Sequence, residues 1–235
     1  CYACDNAWLP YGLRDDATLA KRIVMVCQAA VQACQASVLV VACNTASTLA
    51  LEGLRQTLSI PVIGTVPAIK PAALMSTSRH IGLLATTATV NRPYTQGLID
   101  SFASDCVVTK IAADALVTEA EAWLAGTPFN TPRIQQALAP LWQATQESPA
   151  LDTVVLGCTH FPLLQPLLVP LAPAPITWVD SGDAIARRVG QVATTLVSSA
   201  HDGRCFTTAP AQALTDGFAR YGFHEPRPLV LPGAR

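Results

Sequence analysis

Two short stretches carry residues able to do acid–base or nucleophilic chemistry. Cys43-Asn44-Thr45 follows the apolar run 38–42, and Cys158-Thr159-His160 follows the apolar run 152–157. A thiol placed where a strand gives way to a helix faces oriented backbone N–H groups, which favour its thiolate. The polar residues behind each cysteine can hydrogen-bond a carboxylate. His160 can take a proton from the Cys158 thiol or bind a substrate carboxylate. Two such thiols together suit a stereo-symmetric proton transfer, in which one thiolate removes an α-proton and the other thiol returns one to the opposite face. Taken singly, each stretch also reads as a buried strand-end cysteine followed by capping and turn residues, with a structural histidine in the second.

The elements that must hold these residues alternate along the chain. Short apolar runs predict strands over 38–42, 61–66, 80–85, 107–111, 152–157 and 176–180. Helical spacing predicts helices over 45–58, 91–103, 114–124, 131–146 and 182–198. Such alternation argues for an α/β fold with mostly parallel sheets and helices on both faces. The echo between VLVVACNT and VVLGCTH suggests two pseudo-symmetric α/β domains. Both motifs fall at the carboxyl ends of strands, where open α/β sheets bind their ligands.

Composition narrows the function classes. The chain has 235 residues, 51% hydrophobic and 13% charged, with a net charge of −1. That balance suits a packed core, and no basic field points to nucleic acid. The apolar stretch 163–176 is broken by Pro166, Pro170, Pro173 and Pro175, so no membrane span is expected. Eight cysteines in a chain of this length without secretory signs favour a reduced, cytoplasmic setting. Cys27, Cys34, Cys106 and Cys205 read as small buried hydrophobes. Cys1 and Cys4 form a CxxC pair, but residues three apart on a strand diverge and no second pair completes a ligand set, so no metal is expected. No Gly-rich phosphate loop is present, and no cofactor is called for. His80, His201 and His224 lack spacing partners and read as core or surface residues.

Cys43-Asn44-Thr45-Ala46-Ser47 and the stretch from Gly157 through Cys158-Thr159-His160-Phe161-Pro162-Leu163 to Leu164 resemble the two active-site motifs of glutamate racemases. Asp5-Asn6 followed by Pro10-Tyr11-Gly12 is similar to that family's early substrate-binding segment. Val66-Pro67-Ala68-Ile69-Lys70 and Val179-Asp180-Ser181-Gly182 resemble further family stretches. The resemblance covers essentially the whole chain, and the second cysteine motif is its most specific part.

The resemblance implies a cofactor-independent isomerase interconverting L- and D-glutamate, with D-glutamate supplied to peptidoglycan. It implies Cys43 and Cys158 as the acid/base pair. Tyr11, Gly12, Asn44, Thr45, Thr159 and His160 would hold the glutamate. Glu121 would assist the second thiol, as would His160, although Glu119 stands two residues from Glu121. Thr86, Thr87 and Thr89 are candidates for the pocket or, equally, for turn and cap chemistry. Trp8 and Tyr11 would shield the site or simply pack. The expected domains are 1–67 plus 178–235, and an inserted 68–177, with the active site in the cleft between them. The rivals are an aspartate racemase, a hydrolase with Cys158 as nucleophile, and a non-catalytic amino-acid-binding protein. A homo-oligomer is compatible with the sequence.

One departure stands out. The family opens with a strand followed by Asp-Ser-Gly-x-Gly-Gly, and nothing here matches it; Asp180-Ser181-Gly182 lacks the glycine pair. The chain opens at Cys1-Tyr2-Ala3-Cys4, which resembles the family's second strand. The expectation is an N-terminally incomplete sequence with an unpaired sheet position, poor activity and poor stability.

Overall fold

The computed structural model describes residues 1–193 and 203–232. The chain divides into two compact units, one of residues 1–65, 124–126 and 183–235, the other of residues 66–123 and 127–182.

In the first unit, strand β1 (Tyr2–Cys4) leads through two 3-10 turns, Asn6–Trp8 and Tyr11–Leu13, into helix α1 (Asp16–Cys34). The Asp15 side chain accepts from the Thr18 N–H at 2.9 Å and caps α1. Leu19, Ile23, Val26, Ala29 and Ala30 recur along the buried face of α1. Strand β2 (Leu39–Val41), helix α2 (Asn44–Thr57) and strand β3 (Val62–Gly64) come after it. Leu19, Ile23, Val41, Ala46, Ala50, Leu54 and Val62 form the core between them.

In the second unit, helix α3 (Ile69–Met75) precedes strand β4 (His80–Ala85), whose six residues are all buried. A short helix α4 (Thr87–Val90) precedes helix α5 (Pro93–Phe102), which is the helix expected over 91–103. Pro93 lacks an N–H, so the ladder restarts there. Strand β5 (Val107–Ala112), helix α6 (Ala115–Ala125), helix α7 (Thr131–Ala144) and strand β6 (Thr153–Leu156) come next. A 3-10 turn (Phe161–Leu164), helix α8 (Gln165–Leu171) and strand β7 (Thr177–Val179) complete this unit, and helix α9 (Gly182–Val192) carries the chain back into the first. Residues 194–198 of the helix expected to end at 198 lie outside the described residues, as does His201. Strand β8 (Cys205–Thr207), helix α10 (Thr215–Arg220) and strand β9 (Arg227–Pro228) follow in the first unit.

Every strand pairing among the described residues is parallel. The second unit holds one sheet in the order β5-β4-β6-β7, and the first holds two, β1-β8-β9 and β2-β3. The second unit's sheet has apolar side chains on both faces, in two separate clusters built around Leu84, Val154 and Leu156 and around Ile81, Leu83 and Val155. This is the α/β, parallel-sheet architecture expected from the alternation. No helix among the described residues is long and apolar enough to cross a membrane.

Candidate active site

Cys43 and Cys158 occupy matching places, each the second residue beyond a parallel strand, β2 and β6 respectively. The backbone beyond each cysteine differs. Cys43 is the N-cap of α2, with φ −156° and ψ 125°, and its Sγ accepts from the Ala46 N–H at 3.5 Å. It therefore lies against the positive end of a fourteen-residue helix. Asn44 and Thr45 open that helix and are 5% and 6% exposed. Ser47 locks the strand–helix corner: its Oγ donates to the Val41 carbonyl at 3.1 Å and accepts from the Thr65 N–H at 2.8 Å.

Cys158 does not start a helix. Phe161 N–H donates back to the Cys158 carbonyl at 3.0 Å in an i→i+3 turn, and the next donor is missing because residue 162 is proline. The chain passes through a 3-10 turn before α8 begins. The expectation that Cys158 repeats the helix-start geometry of Cys43 fails for that reason. Gly157 is required instead: a Cβ there would lie 2.8 Å from Leu83 Cδ1 and 3.0 Å from Ala85 Cβ, and its N–H donates to the Leu84 carbonyl at 2.8 Å. Only glycine lets the strand end approach β4 this closely.

A side-chain relay takes the place of the helix. His160 Nδ1 lies 3.9 Å from Cys158 Sγ, and His160 Nε2 lies 2.7 Å from Glu121 Oε1 on α6. Burial disfavours charge on the imidazole, but the hydrogen bonds to Cys158 and Glu121, and their negative charge, outweigh it and raise the His160 pKa to about 10. That shift favours the imidazolium form, which can donate from both ring nitrogens.

Glu119, two residues from Glu121, is occupied differently. It is 3% exposed, accepts from the Asn130 N–H at 2.6 Å, and pairs with Arg133 Nη1 at 3.0 Å. It ties α6 to the start of α7. The threonines after β4 are also engaged: Thr87 donates from its N–H and hydroxyl to the Asp114 carboxylate, and Thr86 and Thr89 hydroxyls lie 3.2 Å apart. His80 is a core histidine, fully buried between the Pro149 carbonyl at 2.7 Å and the Thr109 hydroxyl at 2.8 Å. His224 is exposed. Asp180-Ser181-Gly182 closes on Val66, whose carbonyl accepts from Ser181 Oγ at 2.6 Å.

In the first unit, the turn carrying Tyr11 and Gly12 packs on α2. Tyr11 and Trp8 pack against the same core as Cys43. The Tyr11 hydroxyl donates to Asp5 Oδ2 at 2.8 Å. Burial, then the Asp5 carboxylate and nearby cysteines, push the Tyr11 phenol well above its ordinary range, so it remains a donor. Asp5 also accepts from Arg22 and from Thr208. Arg22 and Thr208 give no signal in the sequence, since they lie far from Asp5 along the chain and belong to no local pattern. Within each unit the expected residues cluster: Tyr11, Gly12, Cys43, Asn44 and Thr45 in the first, and Glu121, Cys158, Thr159 and His160 in the second.

The family described as Asp/Glu/Hydantoin racemase matches over residues 1–189. The chain belongs to this racemase family. Among its relatives, a glutamate racemase of Shewanella loihica is 49% identical over 189 residues, covering 80% of this chain and 69% of that protein. A glutamate racemase of Klebsiella pneumoniae is 42% identical over 228 residues, covering 94% of this chain and 80% of its own. Among solved structures, Escherichia coli glutamate racemase in complex with L-glutamate and the activator UDP-MurNAc-ala superposes with a TM-score of 0.91 at 40% identity, covering 99% of this chain and 88% of that one. Both cysteines of this racemase-family chain fall inside the matched stretch.

Proposed function

We propose that this chain interconverts L- and D-glutamate, with Cys43 and Cys158 as the two proton-transfer groups and no cofactor. One thiolate takes the α-proton from one face of the substrate. The other thiol gives a proton to the opposite face, and the roles exchange in the reverse direction. The observation that carries this reading is the matched position of the two cysteines, each just past a parallel strand and each with a partner for sulfur. The relatives named glutamate racemase favour glutamate over aspartate as substrate.

The chemical obstacle is the weak acidity of an amino-acid α-proton. Hydrogen-bond donors on the α-carboxylate, in a site shielded from water, lower the energy of the carbanion-like transition state. Asn44, Thr45 and Thr159 supply amide and hydroxyl donors next to the two sulfurs, and Tyr11 and Gly12 complete the glutamate contacts. His160, held charged by Glu121, supports the thiolate form of Cys158. D-glutamate made this way would enter peptidoglycan synthesis from a reducing cytoplasm, where eight free cysteines are stable.

Incubation of the chain with L-glutamate in D₂O tests this. The expected result is loss of the α-proton NMR signal together with decay of the circular dichroism of glutamate towards zero. A folded protein that neither exchanges the α-proton nor inverts glutamate would overturn the assignment.

A further inference from the structure

The segment after β1 has little backbone structure to hold it. Its two 3-10 turns of three residues each are joined at Leu9–Pro10, and each is closed by one bond of 3.1 Å (Trp8 N–H to Asp5 O, Arg14 N–H to Tyr11 O) and one of 3.4 Å (Leu9 N–H to Asn6 O, Leu13 N–H to Pro10 O). Bonds of that kind are weak. Side chains add to this: Asn6 exchanges bonds with Ala209, the Ala7 N–H donates to Thr208, and further groups converge on Asp5, whose carboxylate is 3% exposed. Tyr11 donates to Asp5 Oδ2 at 2.8 Å. Arg22 grips both Asp5 oxygens, Nε to Oδ2 at 2.9 Å and Nη2 to Oδ1 at 2.7 Å. The same guanidinium lies 5.2 Å from the centre of the Trp8 ring. Arg22 sits on α1, between Leu19 and Ile23 of its buried face. A nineteen-residue, capped helix thereby reaches both turns of the segment, Trp8 directly and Tyr11 by way of Asp5.

From this geometry we infer that Arg22 is a positioning residue: by clamping Asp5 and Trp8 it sets the place of the Tyr11–Gly12 turn and so the affinity for glutamate. The inference rests on the proposal that this turn contacts the substrate. The planar fork is essential to it. Lysine would keep the charge, but a point charge cannot hold both oxygens and stack under an indole at once.

Arg22→Lys separates positioning from folding, and Tyr11→Phe cuts only the last link to Asp5. Three quantities are compared in the unaltered chain and both variants: the melting temperature, kcat and KM for α-deuterium exchange, and the indole N–H NMR signal of Trp8, assigned with Trp8→Phe. For Arg22→Lys the expected result is a shifted Trp8 signal and a KM raised roughly tenfold, with kcat changed by less than about threefold. Tyr11→Phe should raise KM in the same direction and leave the Trp8 signal in place. An Arg22→Lys chain with unchanged KM overturns the inference, whether or not its melting temperature falls. Failure of the racemase assignment is seen separately, in the unaltered chain, as absence of exchange, and the inference then falls with it.

Discussion

The surroundings of Cys43 and of Cys158 solve one problem in two ways. At Cys43 the sulfur sits on backbone, the first turn of α2, and accepts from the Ala46 N–H at 3.5 Å. At Cys158 it is a relay of ionisable side chains, with His160 at 3.9 Å and Glu121 a further 2.7 Å on. Backbone dipoles carry no proton and do not titrate. A helix N-terminus contributes about 0.3–1 kcal/mol to a nearby negative charge, up to about 2 when partly buried. A charged hydrogen-bond donor in a partly dry setting is stronger, but it depends on pH and on each member of the relay. The second thiol should therefore depend on pH and on the ionisable groups of its relay.

The largest expected effect is removal of either thiol. Cys43→Ala and Cys158→Ala should each lower inversion of glutamate by at least ~10³-fold, measured by circular dichroism, because no other group takes over proton transfer. If one variant kept its rate, the two regions would not be equivalent partners.

His160→Asn comes next, with a fall of roughly 10²-fold in kcat. The same variant bears on stability. The His160 pKa is raised from its ordinary value of 6.5 to about 10. The protonated form is thus favoured in the folded state, and its stabilising contribution is present in full below pH 6.5. It is lost as pH rises through about 10. Melting temperature plotted against pH should fall over that range in the unaltered chain and fall less steeply in His160→Asn. Parallel curves would mean that His160 gains no proton affinity on folding.

Glu121→Gln keeps an acceptor for His160 but removes the charge. It should reduce kcat by roughly tenfold and move the alkaline loss of stability to lower pH. Glu119→Gln should do least to the rate. Its carboxylate is tied to Asn130 and Arg133, so loss of charge should lower the melting temperature by a few degrees, about 1–2 kcal/mol, with kcat unchanged. A Glu119 variant that lost activity while Glu121→Gln kept it would reverse the roles given to these two residues.

The two cysteine regions also differ in how far the sequence reveals them. The helix expected after Cys43 is present as Asn44–Thr57, because cap, periodicity and stop signals agree there. After Cys158 the apolar pattern looks helical, and Pro162 decides otherwise by withholding a donor. Strand β4 matches its expected limits, His80–Ala85, since a run buried on both faces has sharp ends. Helix α1 is absent from the expected elements, although the sequence carries its Asp15 cap and the spacing of Leu19, Ile23 and Val26; its many alanines weaken the contrast between faces. Strand β8 has only three residues, and its partner β1 lies at the other end of the chain, with Tyr2 opposite Cys205. No local pattern encodes such a pairing. Glu119 and Glu121 lie on one helix with no difference in local spacing, and only tertiary contacts tell them apart. For Arg22, likewise, the partner is set by the fold and not by the neighbouring residues.

The most direct test of the two-thiol account is α-deuterium exchange into each separate enantiomer by the single-thiol variants. With one thiol left, a proton can be removed from one face and a deuteron returned to the same face, which labels glutamate without inverting it. The account predicts that Cys43→Ala labels one enantiomer, that Cys158→Ala labels the other, and that neither inverts. Labelling of the same enantiomer by both variants, or continued inversion by either, would contradict it.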